Sequence, residues 1–251
     1  MIKAARGRRL DLSFSKGTLR VRRAQTAADL DALQALRAQV FRAGRCDQDR
    51  FDARANHVMI EDASGTLLAG FRLLLLEDVA ALQDCYTAQS YDVTPLAQLG
   101  LPMLELGRFC VCPGLRDPDV LRLGWAAITR LAEARGVRLL FGCTSFPGAD
   151  WHAHHAAFAH LARHAVGPAA LRPHPKAPAR IALSAAPPAQ TGPQDGPVAL
   201  PPLLRSYLGM GGWTSDHAVI DHDLQTCHVF TALEPAKIPP PRLKALRNLL
   251  M

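Results

Sequence analysis

The sequence contains no apolar run able to cross a bilayer as a helix. The longest obvious one, Leu73 to Leu76, is strand-sized, whereas a span needs roughly 20 residues. The opening residues, MIKAARGRRL, are basic but lack the apolar stretch of a secretion signal, so residues 1–18 are expected to form a flexible arm. Cysteines are scattered. Cys46, Cys85, Cys110, Cys112, Cys143 and Cys227 show none of the dense spacing of a small disulfide scaffold, and free thiols in a reducing cytoplasm are expected. No repeat recurs at a fixed period, which excludes a solenoid. Aromatic residues make up only 6% of the chain, and no nucleic-acid motif or aromatic-rich basic face is visible, so nucleic acid is not an expected partner. The histidines His152, His154, His155, His160 and His164 lack the glutamate of an HExxH motif. His160 and His164 alone have metal-ligand spacing on a helix, but a solvated face is the simpler reading and no metal is expected.

What is present describes a globular chain. With 49% hydrophobic and 20% charged residues, 251 residues can bury a substantial core, and a single domain over 19–251 is expected. The net charge of +7 suggests an acidic partner, and with nucleic acid set aside an anionic membrane surface or an acidic carrier protein remains. From Leu19, LRVRRA alternates like a half-buried strand. Thr26 and Asp29 form a capping-box pattern opening a helix on which Leu30, Leu33, Val40 and Phe41 share a face, with Arg37 one turn before Phe41. His57 to Ala63 and Thr66 to Leu76, joined at Ser64-Gly65, read as a hairpin. Met103 to Val111, Pro118 to Arg135 and Val137 to Thr144 read as strand, helix and parallel strand. A helix over Ala149 to His164 follows, then a Pro/Ala-rich loop over 167–202, a short helix LLRSYL, and strands Ala218 to Asp221 and Cys227 to Ala232. This is an α/β domain with a mixed sheet.

The strand LELGRFCV carries two charges in an apolar setting, where burying either alone is costly. Regular alternation puts Glu105, Gly107 and Phe109 on one face and Leu106 and Arg108 on the other; a bulge at Gly107 would bring Glu105 and Arg108 together. An internal Glu-Arg pair holding the sheet explains them as well as a site does. Arg72 interrupts GFRLLLL in the same way, and Asp49 and Asp52 flank Arg50-Phe51.

The ordered set Arg37, Phe41, Asp49-Arg-Phe-Asp52, Gly70-Phe-Arg72 and Glu105-Leu-Gly-Arg108-Phe109 resembles the acyl-homoserine-lactone synthases. A closer resemblance is to the ornithine N-alpha-acyltransferases, through DRFDARANHVMI, LELGRFCVCPGLRD, LFGCTSF, LPPLLRSYLGMGG and VIDHDLQTCHVF, which span most of Leu19 to Leu233. No tryptophan follows Phe41 where the lactone synthases usually carry one, and the Phe41 to Asp49 segment is short.

The resemblance implies a GNAT-type acyltransferase fold, with a mixed, mainly antiparallel sheet flanked by helices. It further implies transfer of a 3-hydroxyacyl chain from the phosphopantetheine of acyl carrier protein to the α-amine of L-ornithine, giving lyso-ornithine lipid, with no bound cofactor. Glu105 would be the proton acceptor, because an amino acid's amine must lose a proton to attack a thioester. Arg37, Phe41, Asp49, Asp52, Arg72 and Arg108 would form the acceptor site, with Arg72 and Arg108 paired to carboxylates of the substrate or of Asp49 and Asp52. Val111, Arg116, Arg122 and Ser145 would hold the donor, around the loop VCPGLRDPD and the helix N-terminus after it. Peripheral contact with the inner membrane is expected from the product and the basic arm. Glutamine or lysine as acceptor, a lactone synthase, a coenzyme A donor and a basic membrane- or nucleic-acid-binding module remain alternatives.

Overall fold

The computed structural model describes residues 11–186 and 198–250. Eleven strands and six α-helices follow in chain order among them. A short β1 (Phe14–Lys16) and β2 (Leu19–Arg23) lead into α1 (Ala27–Phe41), then β3 (Asn56–Glu61) and β4 (Leu67–Leu76). Next come α2 (Val79–Gln83), β5 (Tyr91–Asp92), β6 (Met103–Val111), α3 (Pro118–Arg135) and β7 (Leu139–Pro147). The chain closes with α4 (His155–His164), β8 (His174–Pro175), β9 (Arg180–Ala182), α5 (Pro202–Gly209), β10 (Trp213–Asp221), β11 (Thr226–Leu233) and α6 (Pro240–Asn248). Nine strands form one sheet in the order β1-β2-β3-β4-β6-β7-β11-β10-β9, antiparallel except for the β6–β7 pair; β5 and β8 form a separate ribbon.

Several expectations are met and several are corrected. Thr26 caps α1 with the reciprocal Asp29 bond, and Gly136 ends α3 in the left-handed region at φ 61°. Strand pairing starts before Leu19: β1 lies against β2, and Leu12 is buried; residues 1–10 of the expected arm lie outside the described residues. The segment 167–202 is not wholly irregular, because Ile181 and its neighbours add β9 to the edge of β10; residues 187–197 lie outside the described residues. On α1, Val40 faces solvent, and the buried stripe is Leu33, Leu36 and Arg37. The helix before 167 opens as a 3-10 turn, Trp151–His154, and α6 was not anticipated from the sequence.

Two faces of the sheet bury different cores, as period-2 alternation dictates. Leu73, Leu104 and Leu106 join the apolar side of α3, from Val120 to Leu131. Leu74, Leu76, Met103 and Phe141 face the other way, against the 82–96 segment with Leu82, Cys85, Tyr91 and Leu96. On that second face α1 is seated where Gly70 lacks a side chain: a Cβ there would collide with Leu33. One turn later on α1, Arg37 therefore arrives over Arg72, two residues along β4.

Strands β6 and β7 pair only from Met103↔Leu139 to Leu106↔Gly142. Beyond that point β6 stays with β4 and β7 stays with β11, so the two strands part in the middle of the sheet. The pairing is tight up to the parting, since a Cβ on Gly142 would strike the Leu106 carbonyl.

Candidate active site

The parting is accompanied by a bulge. Gly70 pairs with Cys110 but Arg72 with Gly107, so three steps on β6 oppose two on β4, and Arg108 takes the extra place with φ at 53°. The bulge falls one residue beyond Gly107. Its effect is to exchange the faces of the next two side chains. Phe109 goes to the α3 side, stacked on Phe71 at 5.0 Å between ring centroids and close under Gly124, while Arg108 joins the Glu105 and Arg72 side. The expected reunion of Glu105 and Arg108 on one face therefore occurs, but they do not pair with each other. Glu105, 4% exposed, accepts the backbone N–H groups of Thr87 (2.6 Å) and Tyr86 (3.1 Å).

Arg108 instead donates to Asp47 through Nε (2.8 Å) and Nη2 (3.2 Å), and its guanidinium lies 4.8 Å from the Tyr86 ring centroid and 5.9 Å from that of Phe41. Asp47 also accepts from Arg37 Nε at 2.8 Å and Arg42 Nε at 3.2 Å. Arg37 Nη1 reaches Asp52 at 2.7 Å, and Arg72 Nη1 meets both Asp52 (2.7 Å) and Asp49 (2.6 Å), with Nη2 on the second Asp49 oxygen at 2.8 Å. Arg72 thus pairs with Asp49 and Asp52 as expected, while the main partner of Arg108 is Asp47, with Asp49 Oδ2 farther off at 3.5 Å. Three arginines from α1, β4 and β6 meet the buried Asp47 and Asp52 and the half-buried Asp49 of one short connection, so each of these guanidinium groups has a carboxylate partner.

This pairing sets the protonation states. Burial alone would raise the Asp47 carboxyl, but hydrogen bonds and charge from Arg108 and then Arg37 override it and hold it well below the usual carboxylate range. Burial opposes Arg37 in the same way at Asp52, whose pKa is also lowered. Burial pushes the His57 imidazole down, and its Nε2 lies 2.9 Å from the Asp52 carbonyl, which suits a neutral ring donating there. Burial raises the Tyr86 phenol, and it pushes the Cys143 thiol up to about 12, so Cys143 is not poised as a nucleophile.

A cleft of about 440 Å³ opens beside this network, lined among others by Arg42, Asp49, Phe51, Tyr86, Arg108 and Asp221. Of the acceptor residues expected from the sequence, Asp49 and Arg108 reach it. Arg37, Asp52 and Arg72 stand behind it as its support, and Phe41 faces Arg108. Sequence reasoning missed Asp47, Arg42, Tyr86 and Asp221. Only Asp47 left a signal, as the first acid of Asp47-Gln-Asp49-Arg-Phe-Asp52.

On the α3 face a larger groove of about 950 Å³ runs between the β6–α3 connection, α5 and α6. Val111, Arg116 and Arg122 line it with Phe109, Leu121, Trp125 and Leu203. Ser145 does not: it is an exposed residue of β7 beyond the parting, paired across to His228 of β11. The N-terminus of α3 is already capped by Asp117, whose carboxylate accepts the Asp119 N–H at 2.8 Å, so an anion in the groove would rely on Arg116, Arg122 and Arg242. Among the described residues no group of three or more His, Cys, Asp or Glu is placed to hold a metal, and no helix is long and apolar enough to cross a membrane.

Comparison with known proteins gives this geometry a family. The acetyltransferase (GNAT) domain family matches residues 31–126. The L-ornithine N(alpha)-acyltransferase of Rhizobium meliloti is 31% identical over 242 residues, covering 88% of this chain and 81% of that protein. That of Rhodobacter capsulatus is 30% identical, covering 85% of this chain and 89% of that protein. The chain belongs to the L-ornithine N(alpha)-acyltransferase family. It is an acyltransferase of GNAT fold. Two solved structures share the fold at low identity. FeeM, an N-acyl amino acid synthase from uncultured soil microbes, has a TM-score of 0.52 at 8% identity, over 87% of this chain and 92% of that one. TofI in an apo form has a TM-score of 0.51 at 18% identity, over 92% of this chain and 98% of that one.

Proposed function

We propose that this acyltransferase moves a 3-hydroxyacyl chain from acyl carrier protein to the α-amine of L-ornithine, forming lyso-ornithine lipid. The observation that carries the reading is the similarity, over 88% of the chain, to a protein that bears the name L-ornithine N(alpha)-acyltransferase. The donor arm enters where β6 and β7 part, because the β6 edge beyond Leu106 that faces β7 has no partner strand there. Backbone N–H groups on that edge can polarise the thioester carbonyl, and pre-set donors of this kind are worth about 10²- to 10³-fold each in rate. The acceptor amine nitrogen attacks the thioester carbon and its proton passes to Glu105, directly or through water. The C–S bond then breaks, and the pantetheine thiol leaves with a proton.

Glu105 stands one residue before the last β6–β7 pair, and its buried carboxylate could take the amine's proton by exchanging its bond to Tyr86 or Thr87 for the amine or a bridging water. Arg42 and Arg108 are the cleft-lining cations suited to the acceptor's α-carboxylate, while Arg37, Asp47, Asp52 and Arg72 hold Arg108 and Asp49 in place. Val111, Arg116 and Arg122 border the groove for the carrier's arm, and the net charge of +7 favours both an acidic carrier and an anionic inner-membrane surface where the amphiphilic product can leave. Incubation of the purified protein with 3-hydroxyacyl carrier protein and L-ornithine, followed by mass spectrometry, tests the reading. The N-acylated amino acid is expected, and failure with ornithine and every other amino acid would sink it.

A further inference from the structure

The carboxylates around the acceptor cleft differ in what they already hold. Both oxygens of Asp49 are on Arg72, and Asp223 is paired with Arg42 at 2.6 Å. Asp221, the last residue of β10 and also in the cleft wall, is different. Its Oδ1 accepts the backbone N–H groups of Asp223 and Leu224, both at 2.9 Å, which fixes the side chain at the start of the β10–β11 turn. Among the described residues its Oδ2 accepts no hydrogen bond and no cation lies within ion-pair distance of it. Among the described residues it is therefore the cleft carboxylate without a cation partner. It lines the same cleft as Tyr86 and Arg108.

Ornithine brings a requirement that the buried network does not meet. Its δ-ammonium must enter a cleft already lined by Arg42, Arg50 and Arg108, where an uncompensated second cation would be repelled. The three methylenes between its two amines can lie along Phe51 and Tyr86, which line the same cleft. We propose that Asp221 selects a diamino acceptor, its free oxygen receiving the side-chain ammonium while the α-amine is presented at the parting of β6 and β7. This rests on the amino-acid transfer proposed above and names the residue that sets which amino acid is used.

The test compares kcat/KM for L-ornithine with that for L-norvaline, the same carbon skeleton without the δ-amine, using 3-hydroxyacyl carrier protein and the full chain. The wild type is expected to favour ornithine. In Asp221→Asn, which keeps an oxygen for the two turn N–H groups, that preference should fall by about 10- to 100-fold, the worth of one hydrogen bond to a charged group. The loss should appear in KM for ornithine, with norvaline transfer little changed. Asp221→Glu, which moves the carboxylate by one methylene, should shift the preference toward 2,4-diaminobutyrate, and it decides the matter if Asp221→Asn proves unfolded by circular dichroism. An ornithine preference unchanged in folded Asp221→Asn, or a wild type that uses norvaline as well as ornithine, would overturn the proposal and leave the acyltransferase reading standing. A wild type that acylates no amino acid would instead remove that reading itself.

Discussion

Replacing Asp47 by Asn should be the most damaging single-atom-scale change in the protein outside its apolar core. Asp47 is 1% exposed and takes hydrogen bonds from Arg37, Arg42 and Arg108. Removing its charge leaves Arg37, whose Nη2 is already buried without a partner, dependent on Asp52 alone, and strips Arg108 of its main anion. Breaking a buried pair by neutralising one member costs about 3–5 kcal/mol. For a chain of this size each kcal/mol moves the melting temperature by about 2–4 °C, so a drop of roughly 6–20 °C is expected. Asp223→Asn provides the contrast, because that carboxylate is 71% exposed and its pair with Arg42 should contribute at most about 1 kcal/mol.

The acid limb gives a second readout of the same change. The folded Asp47 carboxyl sits below its unfolded value of about 3.9, so its contribution is complete above that pH and is lost as pH falls further. Asp47→Asn should therefore be less sensitive than the wild type to acidification below about pH 4. Urea midpoints at several pH values measure both effects. A loss under about 1 kcal/mol at pH 7, with an unchanged acid slope, would refute the account of Asp47 as the centre of a desolvated network.

Other consequences are as direct. Glu105→Gln should lower kcat by about 10²- to 10⁴-fold with KM for the acceptor little changed, in steady-state acyl-transfer assays; a near-normal kcat would reduce Glu105 to a clamp on Tyr86 and Thr87. Gly142→Ala should destabilise by about 1–3 kcal/mol in thermal melts, because its methyl must push the Leu106 carbonyl away and part β6 and β7 early. Arg116→Ala should raise KM for acyl carrier protein and flatten its salt dependence while kcat and stability hold, since Arg116 is an exposed residue lining the α3 groove. His228, driven down to about 4 by burial, must charge on unfolding at mildly acidic pH. Stability from it is full above about pH 6.5 and fades toward pH 4, so His228→Gln should flatten the urea-midpoint profile in that window.

The regular elements were legible because local chemistry dictates them. The capping box at Thr26 and the alternation of Met103 to Val111 each had one physical reading. The site was legible as a set of residue types, since Arg37, Arg72 and Arg108 had no place in apolar elements without carboxylates to meet. Its wiring was not. Whether Arg108 meets Glu105, Asp49 or Asp47 depends on one extra residue in the ladder, and a bulge at Arg108 rather than Gly107 leaves no mark in the composition of LELGRFCV. Tyr86 and Asp221 were invisible for a different reason: each is an ordinary loop or strand-end residue until β6 and β10 bring it to the cleft. The short β9 was hidden by the prolines around it, which mask a strand too brief to show a period.

The buried Asp47 and Asp52 and the half-buried Asp49 lie within six consecutive residues, a stretch whose only helical turn is the short Asp52–Arg54. Their arginine partners arrive from one helix and two strands that are distant in sequence. The loop can therefore complete its set of ion pairs only where α1, β4 and β6 are all in place. Amide hydrogens at Asp49, Phe51 and Asp52, which a surface loop would exchange within seconds, should open only with the sheet itself. A connection of this kind ties the shape of the cleft to completed folding, because Asp47 can hold Arg108 at its wall only when α1, β4 and β6 are together.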